Sequence, residues 1–459
     1  MAMSKKELNM TEGPFLGKIV RFCIPLILTG LLQCLYNAAD LAVVGAFRGE
    51  VALAAVGSTG ALTNLIVGLF MGLSVGGGVV LAHQLGAQEY GRVSKTVHSS
   101  LLTAGILGIF VAFLGFFLAE PMLALMDTPE TVLPYATLYL RIIFLGVPAS
   151  MVYNYAAALV RSTGDTKHPL IFLSVSGIVN VALNFMFVAV FGMGVEGVAI
   201  ATIVSQYLSA VMILIFMARS EGSIHFSFKQ LRIDKATVRR ILAIGIPSGI
   251  QSSLFSLSNV MIQSSINSFG DTVMAGNSAA ANLEGFVYIA MNAVYQGALT
   301  FVGQNVGAKK YRNIKRITLL CAGIATVLGL STGGVILLFR EFFVGLYAPE
   351  NPVVLTYAVK RLFAILPFYF MCGIMEVLGG ALRGMGRSML TMINSLLGAC
   401  VFRIIWVKVI FYFVPRDTVW VYASWPISWV LVIAANLVCL VICYRRLNHP
   451  NQQIIDRLD

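Results

Sequence analysis

The sequence predicts an all-α integral membrane protein, with twelve transmembrane helices in two pseudo-symmetric six-helix lobes. Three observations predict it. The 459 residues are 58% hydrophobic and only 11% charged, with a mean hydropathy of +0.85, whereas a soluble domain carries roughly 25% charged residues. Such a chain cannot hide its apolar surface in a water-soluble core, so lipid is its solvent. The apolar runs are about 20 residues or more, enough to cross roughly 30 Å of hydrocarbon. They lack short alternating segments, which favours helices over a barrel, because each helix satisfies its own backbone. The pattern of the first half also returns in the second. Pro25 and Asn37 match Pro247 and Asn259 at an offset of 222, Leu85 to Tyr90 match Val306 to Tyr311 at 221, and Arg161 and Gly164 match Arg383 and Gly386 at 222.

The first span, 19–46, carries Pro25; it is too long for a signal-peptide core and lacks a cleavage site. The second, 52–83, repeats Gly68, Gly72 and Gly76 on one face, a close-packing surface. The third, 94–119, follows the basic turn at Arg92 and Lys95. The fourth, 133–160, holds Pro148, and the fifth, 168–191, holds Asn180 and Asn184. The sixth, 195–218, opens at Gly194-Val195-Glu196-Gly197 and carries Thr202 and Gln206. The seventh, 240–268, repeats the first, with Pro247 for Pro25 and a polar face of Ser252, Ser256, Asn259 and Gln263. The eighth, 274–305, carries Glu284, and the ninth, 315–339, follows a Lys/Arg-rich turn. The tenth, 353–382, holds Pro367 and Glu376, the eleventh, 388–413, holds Arg403 and Lys408, and the twelfth, 419–444, stops at Arg445. The prolines are packing devices or bending points.

The net charge of +12 raises nucleic acid as a partner, but the basic residues sit between apolar runs, which is a topology signal. Lys and Arg of the N-terminus, the 2/3, 4/5, 8/9 and 10/11 turns, the 6/7 loop and the tail lie on one side. The other side offers only Arg48, Arg141, Arg340, Lys360, Arg361 and Arg416. Both termini are therefore expected in the cytoplasm, in a multi-pass protein of the plasma (inner) membrane. An even number of spans per half relates the lobes by an axis along the membrane normal, with a cavity between them that suits alternating access. The expected lobes are 1–222 and 223–459, joined by a basic stretch near 220–235 that is able to lie on anionic lipid. The seven cysteines fall in apolar runs without paired spacing and read as small hydrophobes. No nucleophile constellation, HExxH, Walker or GxGxxG context is present, which argues against an enzyme or an ATP-driven pump and calls for no cofactor.

A carboxylate in hydrocarbon is costly and usually functional. Gln33, Tyr36, Asn37 and Asp40 share one face of the first span, and Asp40 lies about 22 Å along the helix from Pro25. Asn180 and Asn184, and Thr202 with Gln206, are each four apart. Their oxygens, with Asp40, make a candidate cation-coupling site, with Na+ possible at Asp40, Asn180 and Thr202; interhelical hydrogen bonding explains the same residues. The symmetry mates of Asp40 and Glu376 are Ile262 and Asn154, so the halves differ in chemistry. Glu376 with Arg403 makes either a buried ion pair or, with Glu284, part of a cavity for cationic substrates. Tyr288, Gln251 and Asn259 join that candidate substrate cavity, Tyr288 continuing an aromatic and Met face of Glu284 that suits flat cations.

These residues resemble the multidrug and toxic compound extrusion family. The resemblance rests on Pro25, Gln33 and Asp40 in the first span, Gln304 to Ala308 with its shorter counterpart Gln84-Leu85-Gly86-Ala87, Leu382-Arg383-Gly384, and the Gly194 to Thr202 start of the sixth span. It covers essentially the whole chain and implies secondary antiport, in which H+ or Na+ entry drives expulsion of small-molecule organic cations by a monomer in the bilayer. It also implies that Asp40, Asn180 and Thr202 fall at the first lobe's cation site. Two departures stand out: Asn184 occupies a position that is often acidic in the family, and Phe255 replaces the Glu of one branch eight residues after the seventh-span proline. A lipid-linked oligosaccharide flippase of the wider superfamily is the alternative, with Arg403 and Lys408 in its favour and Glu284 and Glu376 against it; a membrane-embedded enzyme is a more distant one.

Overall fold

The computed structural model describes residues 8–126, 128–346, 352–414 and 416–448, and among these every regular element is helical. Twelve helical segments are long and apolar enough to span a membrane: α1 Phe15–Phe47, α2 Ala54–Gly86, α3 Tyr90–Ala124, α4 Leu133–Ser162, α5 Lys167–Val190, α6 Val195–Arg219, α7 Lys235–Asn267, α8 Asp271–Gly307, α9 Tyr311–Leu338, α10 Pro352–Gly384, α11 Ser388–Val409 and α12 Thr418–Leu447. The helical backbone Phe15–Gly86 carries both α1 and α2. All seven cysteines are free thiols.

The duplication extends to backbone conformation. The turns after α2 and α8 each place a residue other than glycine in the left-handed region, Gln88 at φ 57° and Lys309 at φ 56°. Each is closed by the same three bonds: Ala87 N–H to His83 O, Gln88 to Leu85 and Glu89 to Gln84, against Ala308 to Gln304, Lys309 to Val306 and Lys310 to Asn305. The turns after α4 and α10 use glycine at that conformation, Gly164 at φ 91° and Gly386 at φ 78°, where a side chain is disfavoured.

The chain forms two compact units, Met1–Asn9 with Pro25–Gly249, and Met10–Ile24 with Ile250–Asp459. The polarity of 220–235 suggested a boundary at 222, whereas packing partners change beside Pro25 in α1 and just past Pro247 in α7. In the first unit the start of α7 lies on α2. A Cβ on Gly72 would fall 2.4 Å from the Gly249 backbone, and one on Gly76 2.1 Å from the Ile241 carbonyl oxygen, so the glycine face of α2 brings two backbones into contact. In the second unit the start of α1 packs on α8, with the Phe22 and Phe301 rings edge to face at 5.8 Å and the Asn305 amide donating to Met10 O at 2.9 Å.

The polar stretch after α6 is docked in the first unit. Ile224 and Phe226 enter the core with Val97, Leu101 and Met217. His98 donates Nδ1–H to Ser94 O at 2.7 Å and accepts the Ser227 N–H at Nε2 at 3.1 Å, and Ser99 Oγ accepts the Asp234 N–H at 3.0 Å. Among the described residues, regular helix is interrupted within three of the spans: α5 ends in a π-helical turn, Phe185–Val190, α10 tightens to a 3-10 turn at Leu366–Phe368 around Pro367, and α11 carries a π turn at Leu396–Val401.

Candidate functional site

In the first unit, packing between α1 and α5 builds the site. The Tyr36 ring lies on Gly177, where a Cβ would fall 1.9 Å from Tyr36 Cε2, and the Tyr36 hydroxyl donates to Ser174 O at 3.1 Å. One turn further along α1 and one to two turns along α5, this close approach delivers Asp40 to Asn180 and Asn184. The Asn184 amide donates to Asp40 Oδ1 and to Asn180 Oδ1, the latter at 3.3 Å. Asn184 is fully buried, Asn180 nearly so, and Asp40 half-buried. Asn184 is also the last residue of regular α-helix before the π turn, a kind of interruption frequent at functional sites. Its Oδ1 is buried without a partner. Tyr139 of α4 is buried within electrostatic range of Asp40.

The remaining first-unit residues are placed less tightly. The half-buried Thr202 donates its hydroxyl within its own helix, to Val198 O at 2.9 Å, and keeps its oxygen lone pairs. Gln206, one turn on, is pressed against Gly146, and its Oε1 is buried without a partner. Gln33 and Asn37 are exposed on α1. Among the described residues no ion pair involves Asp40, and no cluster of three or more His, Cys, Asp or Glu forms a metal centre. A bound cation would meet one carboxylate with amide and hydroxyl oxygens, and the orphaned Asn184 Oδ1 fits that donor set.

In the second unit, Glu284 is held by Arg361, a residue that reads from the sequence as a topology charge. Arg361 donates Nε–H and an Nη2–H to the two Glu284 oxygens at 2.7 and 2.8 Å and an Nη1–H to Asn277 Oδ1. Asn277 passes the chain on to Gln263 Oε1 at 2.7 Å, and Gln263 to Asn267 Oδ1 at 2.8 Å. Arg361 and Glu284 are both buried. The repeat offset carries a clue to this arginine: position 361 is the equivalent of Tyr139, which lies within electrostatic range of Asp40.

The expected pairing of Glu376 with Arg403 does not form. Arg403 donates its Nε–H to Ser428 Oγ at 2.8 Å and lies 5.3 Å from the Trp425 ring centroid. The half-buried Glu376 faces the Tyr288 hydroxyl in the field of Arg383, and Arg383 donates to that of Tyr295 at 2.5 Å. α11 is turned so that Arg403 meets α12, a rotation that spacing along one helix does not reveal. Tyr288 is partly exposed at 39%. Gln251 is buried and donates to Ser395 Oγ at 2.8 Å, while Asn259 is exposed.

Comparison with known proteins agrees with this architecture. The MatE family model matches residues 25–186 and again 247–407, the two copies of the repeat. "Probable multidrug resistance protein YpnP" of Bacillus subtilis is 27% identical over 399 residues, 87% of this chain and 89% of that protein. "Multidrug export protein MepA" of Staphylococcus aureus (strain NCTC 8325 / PS 47) is 21% identical over 346 residues, 75% of this chain and 76% of that protein. The outward-facing structure of a multidrug resistance MATE family transporter superposes with a TM-score of 0.89 at 20% identity, covering 97% of this chain and 99% of that one. A MOP superfamily transporter from Pyrococcus furiosus, described as having a binding pocket of reverse polarity, superposes at 0.85 and 19% identity over 97% of this chain and 98% of that one. With the model matched in both halves over most of the chain, this multi-pass membrane protein belongs to the MatE family of transporters.

Proposed function

We propose that this protein is a secondary active antiporter that exports small-molecule organic cations in exchange for H+ or Na+ by alternating access. In this reading it works as a monomer in the plasma (inner) membrane, with both termini in the cytoplasm. The observation that carries the proposal is Asp40: a carboxylate inside a membrane span whose polar partner is a neutral amide. Such a group calls for a proton or a cation. The multidrug resistance and export names of the relatives support small-molecule export.

H+ and Na+ make different demands on the site. Proton coupling uses the carboxylate alone, with Asn184 as its hydrogen-bond donor. Na+ coupling uses Asp40 with the oxygens of Asn180, Asn184 and Thr202. Purified protein in liposomes, given a fluorescent organic cation and a proton or a sodium gradient separately, distinguishes them. Transport driven by one gradient and abolished by Asp40→Asn is the expected result. Coupled transport that survives in a folded Asp40→Asn protein would sink the assignment.

A second reading, flipping of a lipid-linked oligosaccharide, draws on Arg403, a buried guanidinium that forms no ion pair among the described residues. In that case the liposomes would move a phosphate-bearing lipid and leave the organic cation where it started.

A further inference from the structure

Among the described residues of the second unit's spans, the three buried arginines Arg361, Arg383 and Arg403 face only the buried Glu284 and the half-buried Glu376. Glu284 and Arg361 cancel in a bidentate pair, and Glu376 lies in the field of Arg383. Arg403 is left over. It is 3% exposed, and among the described residues no ion pair involves it. A charged side chain inside a membrane span is costly and normally pairs or faces a polar cavity. The repeat puts Val181 at the equivalent place in the first unit, next to Asn180, so the guanidinium has no counterpart there.

The guanidinium is oriented by its surroundings. Its Nε–H is fixed on Ser428 Oγ at 2.8 Å, and Ser428 donates in turn to Trp425 O at 2.7 Å. The Arg361 guanidinium reaches the same indole, 5.1 Å from its centroid, against 5.3 Å for Arg403. Two cations therefore face one ring, and the charge of only one is answered. The terminal nitrogens of Arg403 have no protein acceptor among the described residues, so the buried fork is left unpaired at its end.

A fork held at Nε and unpaired at both terminal nitrogens is complementary to a planar oxyanion, which it binds through two parallel bonds. We propose that Arg403 is the oxyanion-accepting residue of a subsite in the second unit, so that the molecules it handles include ones bearing a carboxylate or phosphate beside their apolar body. This rests on the export reading and narrows its substrate class. The same chemistry is offered by an anionic lipid headgroup.

The test compares a cationic xanthene dye carrying a free carboxylate with its methyl ester, which keeps the ring and its charge. Equilibrium binding is measured to the whole protein in nanodiscs of phosphatidylcholine alone or mixed with phosphatidylglycerol. Wild type is expected to bind the acid about tenfold tighter than the ester in phosphatidylcholine. Arg403→Gln brings the two to parity, and Arg403→Lys, with charge but no fork, falls between. A preference narrowed by phosphatidylglycerol in wild type only identifies the headgroup as a competing occupant of the same site. Retained ester binding reports that a variant is folded; if Arg403→Gln loses it, Ser428→Ala, which frees Nε, takes its place and is expected to weaken the preference. No preference in wild type, or the same preference in wild type and every folded variant, overturns the proposal. Failure of gradient-driven ester transport in liposomes with the acid preference intact would instead count against export alone.

Discussion

Arg361 grips both oxygens of Glu284 from α10 while Asn277 takes its remaining nitrogen, so the most buried acid of the second unit is neutralised within the protein. Removing one partner strands the other in a low-dielectric interior, which typically costs about 3–5 kcal/mol, whereas replacing both with apolar residues of similar volume is often neutral. Arg361→Met is therefore expected to lower the thermal stability of the purified protein steeply. Glu284→Leu combined with Arg361→Met recovers most of the loss. Equal damage in the single and double variants would show that the pair does not act as a unit.

Gly72 has no room for a side chain, because its Cβ position lies 2.4 Å from the Gly249 backbone. Backbone cannot swing aside as a side-chain tip does, so Gly72→Ala must push α2 from the start of α7. Overpacking of this kind costs about 1–3 kcal/mol. Gly57, with nothing within 4 Å of its Cβ position, is the control on the same helix. Thermal unfolding should separate the two, with Gly57→Ala close to wild type.

Helical spacing singles out three residues of the proposed first-unit site: Asn180 and Asn184 share a face, Asp40 is an acid in an apolar run, and the structure joins these three by hydrogen bonds. Arg361 was hidden because a single charge near the end of a span reads equally well as topology and as a buried partner. Its partner Asn277 lies on another helix, so the pairing depends on helix rotation. For the same reason Glu376 and Arg403 looked like a pair and are not. The stretch after α6 reads by composition as a basic linker between the lobes, able to lie on anionic lipid. Its anchors are backbone groups meeting His98 and Ser99, and composition says nothing about backbone partners.

Asp417, between α11 and α12, accepts hydrogen bonds from Lys360 Nζ at 2.9 Å and from the Val419 N–H at 2.9 Å. The lysine hydrogen bond, ahead of the backbone one, holds its carboxyl below the ordinary value of 3.8. A group with a lowered folded pKa stabilises the fold above its unfolded value and loses that contribution as pH falls through its folded value. The pair is partly exposed, with side chains 35% and 43% accessible, so the contribution is about 1 kcal/mol at most. Asp417→Asn should lower stability slightly at neutral pH, and the gap from wild type should close as the pH drops below about 4. A gap that persists or widens in acid would show that the carboxylate charge is not what stabilises this turn.

The proposed coupling site depends on a contact that carries no charge. Gly177 lets the Tyr36 ring lie against α5, and the same approach sets Asp40, one turn further along α1, within reach of the Asn184 amide two turns along α5. Gly177→Ala must displace the ring, break its bond to Ser174 O and move α1 off α5, leaving every polar group of the site in place. A hydrogen bond to a charged group contributes roughly 1.5–3 kcal/mol, so stretching the Asp40–Asn184 contact should cut gradient-driven transport by about tenfold or more. Tyr36→Ala together with Gly177→Ala removes the obstruction and should restore part of it. Transport by Gly177→Ala equal to wild type would mean that coupling does not need Asp40 held against α5. Loss in the single variant without any recovery in the double would point to the Tyr36 hydroxyl itself as part of the site.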